Sequence, residues 1–176
     1  MSQHLIQTDV KSTLSTAEIA AIDAEIAHLP YTSAAAIDAL KIVQAARGWV
    51  SDECLIAIAK HLDMSVEQLE GIATFYNLIY RQPVGDKVIL FCNSVSCWIC
   101  DCDKVKERIS DLLEIDYGET TTNNRYTLLP VPCLGACDRA PVMMVGDDLI
   151  THLDDEIIET LFGPNQQAQS DSWKKY

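Results

Sequence analysis

Basic side chains are scarce. The 176 residues carry 13 Lys and Arg against 26 Asp and Glu, a formal net charge of −13. Nucleic acids and anionic membrane surfaces both bind through basic patches, so this balance argues against either as a partner. Long apolar runs are also missing: no stretch approaches the roughly 18 consecutive apolar residues of a membrane span. The first residues, Met1-Ser2-Gln3-His4, have neither the basic-then-apolar layout of a secretion signal nor the Arg-rich character of a transit peptide, and a reducing cytosol is the expected setting. Glycine is sparse, at seven residues, and none opens a phosphate-cradling loop. The histidines, His4, His28, His61 and His152, are dispersed and form no ligand pair, which argues against a Rieske centre. Internal repeats and low-complexity tracts are absent. What is present is a 48% apolar share, enough for one domain of ordinary size or two small ones. Seven cysteines are present as well, an odd number that a pure disulfide framework would not use up.

The chain up to Asp86 reads as helical. Ser15-Thr16-Ala17-Glu18 has the form of a capping box, and Ile19, Ile22 and Ile26 follow at helical spacing ahead of Pro30. A second helix is predicted from Ser33 to Arg47, with Ala36, Leu40 and Val43 on one face, Ile37 beside them, Gln44 narrowing the stripe, and Gly48 as a left-handed cap. Ser51 should cap a third helix through Leu55, Ile58 and Leu62, and Ser65-Val66-Glu67-Gln68 opens a fourth toward Phe75. The texture changes near Pro83. Lys87 to Phe91 is a short apolar run suited to a strand buried on both faces. A helix is predicted from about Trp98 to Leu113, then a polar turn from Gly118 to Asn124 and a second strand from Tyr126 to Leu129. Pro141 to Val145 and Leu149 to Thr151 flank Gly146-Asp147-Asp148 as a hairpin, and Asp154 caps a last helix that ends at Gly163-Pro164. The expected class is α/β, with a helical section over residues 1–82, an α/β domain over 83–164 and a polar tail over 165–176.

Cysteines cluster in two places. Cys92 ends the first strand candidate and Cys97 comes just before the following helix, a C-x4-C spacing; Cys133 and Cys137 follow the second strand at C-x3-C. Were the two strands parallel, both groups would leave the sheet at the same carboxyl-end edge, where open α/β sheets place their ligand sites. Four thiolates can hold zinc or an iron–sulfur cluster. Zinc favours tighter knuckles, and a [2Fe–2S] cluster suits wider loops with two thiolates per iron. The small-residue loops Asn93-Ser94-Val95-Ser96 and Leu134-Gly135-Ala136 can turn amides toward sulfur. A competing reading takes Cys97-Trp98-Ile99-Cys100 as a C-x-x-C redox motif, with Cys97 the low-pKa nucleophile and Cys100 the resolving thiol of a thiol–disulfide oxidoreductase. It leaves Cys133 and Cys137 without a role.

The two cysteine spacings, with Ala39 to Val50 (ALKIVQAARGWV), Glu70 to Tyr76 (EGIATFY) and Thr127 to Pro141 (TLLPVPCLGACDRAP), resemble the thioredoxin-like [2Fe–2S] E subunit of bacterial NADH:quinone oxidoreductase, respiratory complex I. The likeness runs from about Ser15 to Phe162. It implies an N-terminal helical bundle followed by a thioredoxin-like [2Fe–2S] ferredoxin domain, with Cys92, Cys97, Cys133 and Cys137 as the cluster ligands and no catalytic residue of the chain's own. It also implies electron exchange with the FMN of a partner flavoprotein that oxidises NADH, docking among other peripheral-arm subunits, and a place on the cytoplasmic side of the inner membrane without insertion. Neither NADH nor quinone would bind this chain. Similar subunits serve NAD-linked hydrogenases and formate dehydrogenases. Asp101 stands where relatives usually have glycine, and Cys100 and Cys102 are additional thiols, expected not to be ligands.

Blander readings cover the rest. Cys54 is read as a small buried hydrophobe. Asp147-Asp148 and Asp154-Asp155 are better explained by a turn and a helix cap than by acid–base or metal chemistry. Trp98 and Met143-Met144 fit either core packing or contact with a cluster or partner.

Overall fold

The computed structural model describes residues 14–163, so His4 and the polar tail lie outside the described residues. The chain forms two compact units that divide between Pro83 and Val84.

The first unit is helical. Helix α1 spans Thr16–Ile26, and its capping box is complete: the Ser15 hydroxyl accepts from the Glu18 amide at 3.2 Å, and the Glu18 carboxylate accepts from the Ser15 amide at 2.6 Å. Helix α2 spans Ala36–Arg47 and is entered through a tighter 3-10 turn at Thr32–Ala35. Gly48 ends it at φ 84°, a left-handed cap that other L-residues would strain to adopt. Ser51 caps α3, Asp52–His61, and a second complete capping box at Ser65 and Gln68 opens α4, Val66–Phe75. The periodic apolar residues meet in one core, where Ile22, Leu40, Ile58, Leu62 and Leu69 are fully buried. Each such side chain contributes about 1.5–3 kcal/mol through its removal from water. Gln44 does more than narrow the stripe of α2. Its amide donates to the Leu78 carbonyl at 2.8 Å and its oxygen accepts from the Tyr80 amide at 2.6 Å, tying the segment after α4 back to α2.

The second unit is a mixed sheet with helices, the α/β layout that the sequence predicts. Its strands are β1 (Lys87–Cys92), β2 (Tyr126–Val131), β3 (Val142–Val145) and β4 (Asp148–Thr151), in the spatial order β2-β1-β3-β4. Strand β1 runs parallel to β2 and antiparallel to β3, and β3 pairs antiparallel with β4 across the Gly146-Asp147 turn. The apolar run of β1 follows from its interior position, with Val88 to Cys92 all buried. Pro130 is tolerated in β2 because that strand lies at the sheet edge and needs fewer ladder donors. Asp154 caps the last helix, α7, Asp155–Phe162, by accepting from the Ile157 amide at 2.8 Å.

One predicted element divides. The helix expected from Trp98 to Leu113 is two helices, α5 (Val95–Ile99) and α6 (Cys102–Leu113). Asp101 stands between them at φ 59°, a left-handed conformation that interrupts the helical run. Asp is among the few non-glycine residues that adopt it at modest cost.

Candidate functional site

The parallel pairing of β1 and β2 sets the site. Cys92 and Val131, the last residues of the two strands, are register partners, and Cys133 follows two residues later. Both cysteine groups therefore leave the sheet at one edge. Cys97 lies inside α5 rather than ahead of it, and is fully buried beside the nearly fully buried Cys92. Cys133 and Cys137 are exposed, with their sulfurs 3.7 Å apart.

Local hydrogen bonds hold each pair. The Gly135 amide donates to Cys133 Sγ at 3.3 Å, and Gly135 has φ 77°, so a side chain here would strain the loop that aims this amide. Cys92 Sγ lies 3.5 Å from Ser94 Oγ. The sequence suggests that these small-residue loops carry donors.

These surroundings set the thiol acidities. Burial raises the Cys92 thiol, but hydrogen bonds from Ser94, Cys97 and Leu134 outweigh it and the net shift is downward. Burial, reinforced by the neighbouring Cys92, pushes Cys97 up to about 11. Cys137 is raised by its hydrogen bond with Cys133, against the opposing effect of Ser96. Cys97 is thus protonated near neutral pH and shielded from solvent, the reverse of what the nucleophile of a C-x-x-C exchange motif needs.

Among the described residues, no three His, Cys, Asp or Glu side chains converge closely enough to hold a single metal ion. The thiols instead form two pairs, Cys92 with Cys97 and Cys133 with Cys137, which leave the sheet at one edge. This donor set fits a two-iron cluster, which takes two thiolates at each iron and has sulfurs that accept hydrogen bonds. The thioredoxin-like [2Fe-2S] ferredoxin family matches residues 22–164. The chain belongs to this family.

Individual relatives of this ferredoxin agree. It is 48% identical over 155 residues to the E subunit of the NADH-quinone oxidoreductase of Pseudomonas aeruginosa, covering 88% of this chain and 92% of the relative. The corresponding protein of Escherichia coli strain K12 is 47% identical over 148 residues, with 84% and 89% covered, and that of Buchnera aphidicola subsp. Acyrthosiphon pisum is 41% identical over 155 residues, with 88% and 96% covered. Among solved structures, an NAD+-reducing [NiFe]-hydrogenase in its H2-reduced state superposes with a TM-score of 0.66 at 20% identity, over 79% of this chain and 23% of the hydrogenase chain. That likeness is one of fold.

The remaining thiols of the ferredoxin differ from one another. Cys100 is exposed and Cys102 is buried, and burial, followed by the Asp103 charge, raises the Cys102 thiol. Cys54 is buried as expected, yet its sulfur also accepts a hydrogen bond from Arg47 Nη1 at 3.0 Å, a contact that no local sequence signal announces. Trp98 does not pack in the core: it is exposed, as are Val95 and Ile99, whereas Met143 is fully buried. Asp148 starts β4, and His61 pairs with Asp23 at 2.7 Å.

Proposed function

We propose that this ferredoxin chain is the electron-transfer E subunit of an NADH:quinone oxidoreductase, an oxidoreductase complex, and that it holds one [2Fe–2S] cluster through Cys92, Cys97, Cys133 and Cys137. The observation that carries this reading is the exit of two thiol pairs at one sheet edge, in a chain that spans 89–96% of the three E-subunit relatives named above. When bound, such a cluster supplies one-electron transfer, at a potential tuned by the hydrogen bonds to its sulfurs and by solvent exposure. The chain's own residues supply the rest. Cys92 and Cys97 form the buried side of the site and Cys133 and Cys137 the exposed side. The Gly135 amide donates to the Cys133 sulfur, and the Ser94 hydroxyl lies 3.5 Å from the Cys92 sulfur, close enough to donate to it once the thiol is ionised; both offset the charge that four thiolates would concentrate in a chain already at −13. In this reading residues 83–164 form the cluster-bearing domain, and residues 1–82 a helical section.

The electron partner is the FMN of a flavoprotein subunit, within the peripheral arm on the cytoplasmic side of the membrane. Exposure around the site supports a protein partner. Among the described residues of the second unit, the exposed large apolar side chains are Val95, Trp98 and Ile99, all on α5 beside the thiols. Apolar groups gathered in this way mark contact surfaces. Among the described residues no helix is long and apolar enough to cross a membrane.

Purification of the chain with its natural partners tests this. The expected result is about two irons per chain with a visible iron–sulfur absorbance, together with a co-purifying flavoprotein that oxidises NADH. Replacing Cys133 or Cys137 with Ser should abolish the absorbance. A colourless protein carrying zinc, or one that reduces disulfides, would overturn the reading. A hydrogenase or formate dehydrogenase as the co-purifying complex would redirect it to the equivalent subunit of that assembly.

A further inference from the structure

In the first unit, helices α3 and α4 wall a groove of about 460 Å³. That volume falls within the roughly 300–1,000 Å³ of ordinary ligand sites. Ile56 of α3 and Val66 of α4 form its apolar lining and are 41% and 37% exposed. Two apolar side chains left in water on the walls of one groove form a patch that a partner can cover.

The polar part of the groove is anionic. Arg81 is the one cation among the lining residues, and it is fully engaged within the chain. It donates to the Val50 carbonyl, to Asp52 at 2.7 Å and to Glu70 at 3.0 Å, and its side chain is 16% exposed. Asp52 and Glu70 each bond Arg81 through one oxygen and keep the other. Glu67 also lines the groove, and among the described residues it pairs with no cation. Three carboxylates thus surround one neutralised guanidinium. An anionic ligand would have to displace two carboxylates from Arg81, whereas a cationic one gains Glu67 and two further oxygens. The walls are helices with their interior backbone groups already paired, so no strand can be added here. Recognition must run through side chains, as when an amphipathic helix lies in an apolar groove.

We infer that this groove docks an amphipathic helical segment of another subunit. Its apolar residues, three or four apart, cover Ile56 and Val66, and a flanking Lys or Arg pairs with Glu67. The inference rests on the reading of the chain as one subunit of a larger complex. It adds which face of the helical section meets a partner, and the chemistry of the segment that meets it.

The test uses the full chain produced with its partner subunits. A photo-activated cross-linking residue is placed at Ile56, and the linked peptide is identified by mass spectrometry in the purified complex. The expected product is a peptide of another subunit with apolar residues at helical spacing and a Lys or Arg within one turn of them. In parallel, retention of the chain in the complex is measured across a salt series, with far-ultraviolet circular dichroism to establish folding. Glu67→Lys and Ile56→Glu should each weaken retention about tenfold or more. Glu67→Gln should weaken it less, and its retention should depend less steeply on salt than that of wild type. The cross-link decides alone should either of the stronger variants not fold. A link to a second copy of this chain, to its own residues 1–13 or 164–176, or to a segment without basic residues overturns the inference. So does an assembled complex that yields no link, or unchanged retention in Glu67→Lys and Ile56→Glu. A wild-type chain that co-purifies with no other subunit instead sinks the functional reading on which the inference stands.

Discussion

Cys92 and Val131 are register partners at the ends of two parallel strands. Parallel strands point the same way, so whatever follows each of them emerges at the same sheet edge. Cys97 follows Cys92 through α5, and Cys133 follows Val131 after a single intervening residue. The sheet, rather than either loop, sends the two thiol pairs out at the same edge.

The thiols should differ in reactivity in the cluster-free chain. Timed alkylation at pH 7, followed by peptide mass spectrometry, should label the exposed Cys100, Cys133 and Cys137 first. The buried Cys54, Cys92, Cys97 and Cys102 should lag, with Cys97 slowed further because its pKa is pushed up to about 11. Fast labelling of Cys97 would restore the disulfide-exchange reading of Cys97 and Cys100.

Asp101 should tolerate glycine and reject a β-branched residue. Asp101→Gly removes the strain at φ 59° and loses only the exposed ion pair with Lys104 at 3.1 Å, so its stability should stay within about 1 kcal/mol of wild type. Asp101→Val should destabilise the second unit by about 1–2 kcal/mol. Urea denaturation followed by circular dichroism measures both, and equal stabilities for the two variants would contradict the conformational account.

Stability of the first unit should fall in acid through Glu18. Hydrogen bonding to Arg47, at 2.7 Å from each of two guanidinium nitrogens, holds Glu18 at about 2, against an ordinary value of 4.5. As the pH drops from 4.5 toward about 2, the unfolded chain takes up this proton first, so the folded state loses ground. Above pH 4.5 the contribution is fully present. Glu18→Gln should flatten the stability-versus-pH curve across this window, and an unchanged slope would show that the pair is not coupled to folding.

Gln44→Ala should cost more than an ordinary substitution on a helix face. It strips partners from the Leu78 carbonyl and the Tyr80 amide, bonds of 2.8 and 2.6 Å. The expected loss is about 1–3 kcal/mol, read from the denaturant midpoint. Gln44→Glu keeps the acceptor for Tyr80 and should recover part of it.

Much of the fold was legible in the residues. Ser15, Ser51, Ser65 and Asp154 each cap the helix that their local pattern predicts, because a cap hydrogen-bonds only within its own turn. The β3–β4 hairpin and the buried β1 likewise follow from short-range pattern. The break at Asp101 was not legible: nothing in Trp98 to Leu113 lacks helical propensity strongly enough to announce it, and the burial of both Cys97 and Cys102 is what the break permits. The exposure of Trp98 and the pairing of Gln44 with Leu78 and Tyr80 were hidden for the same reason, since each depends on residues far away in the chain.

Residue order alone was enough for every helix but the one that divides at Asp101, for the strands, the two cysteine groups and the family to which the chain belongs, because these live in local pattern and in spacing. Only folding could settle that the two groups share one sheet edge and that Cys102 lies buried while Cys100 does not. Those outcomes rest on strand register and on one left-handed residue. Register is set by how whole strands bury their faces, and no window of sequence contains both partners.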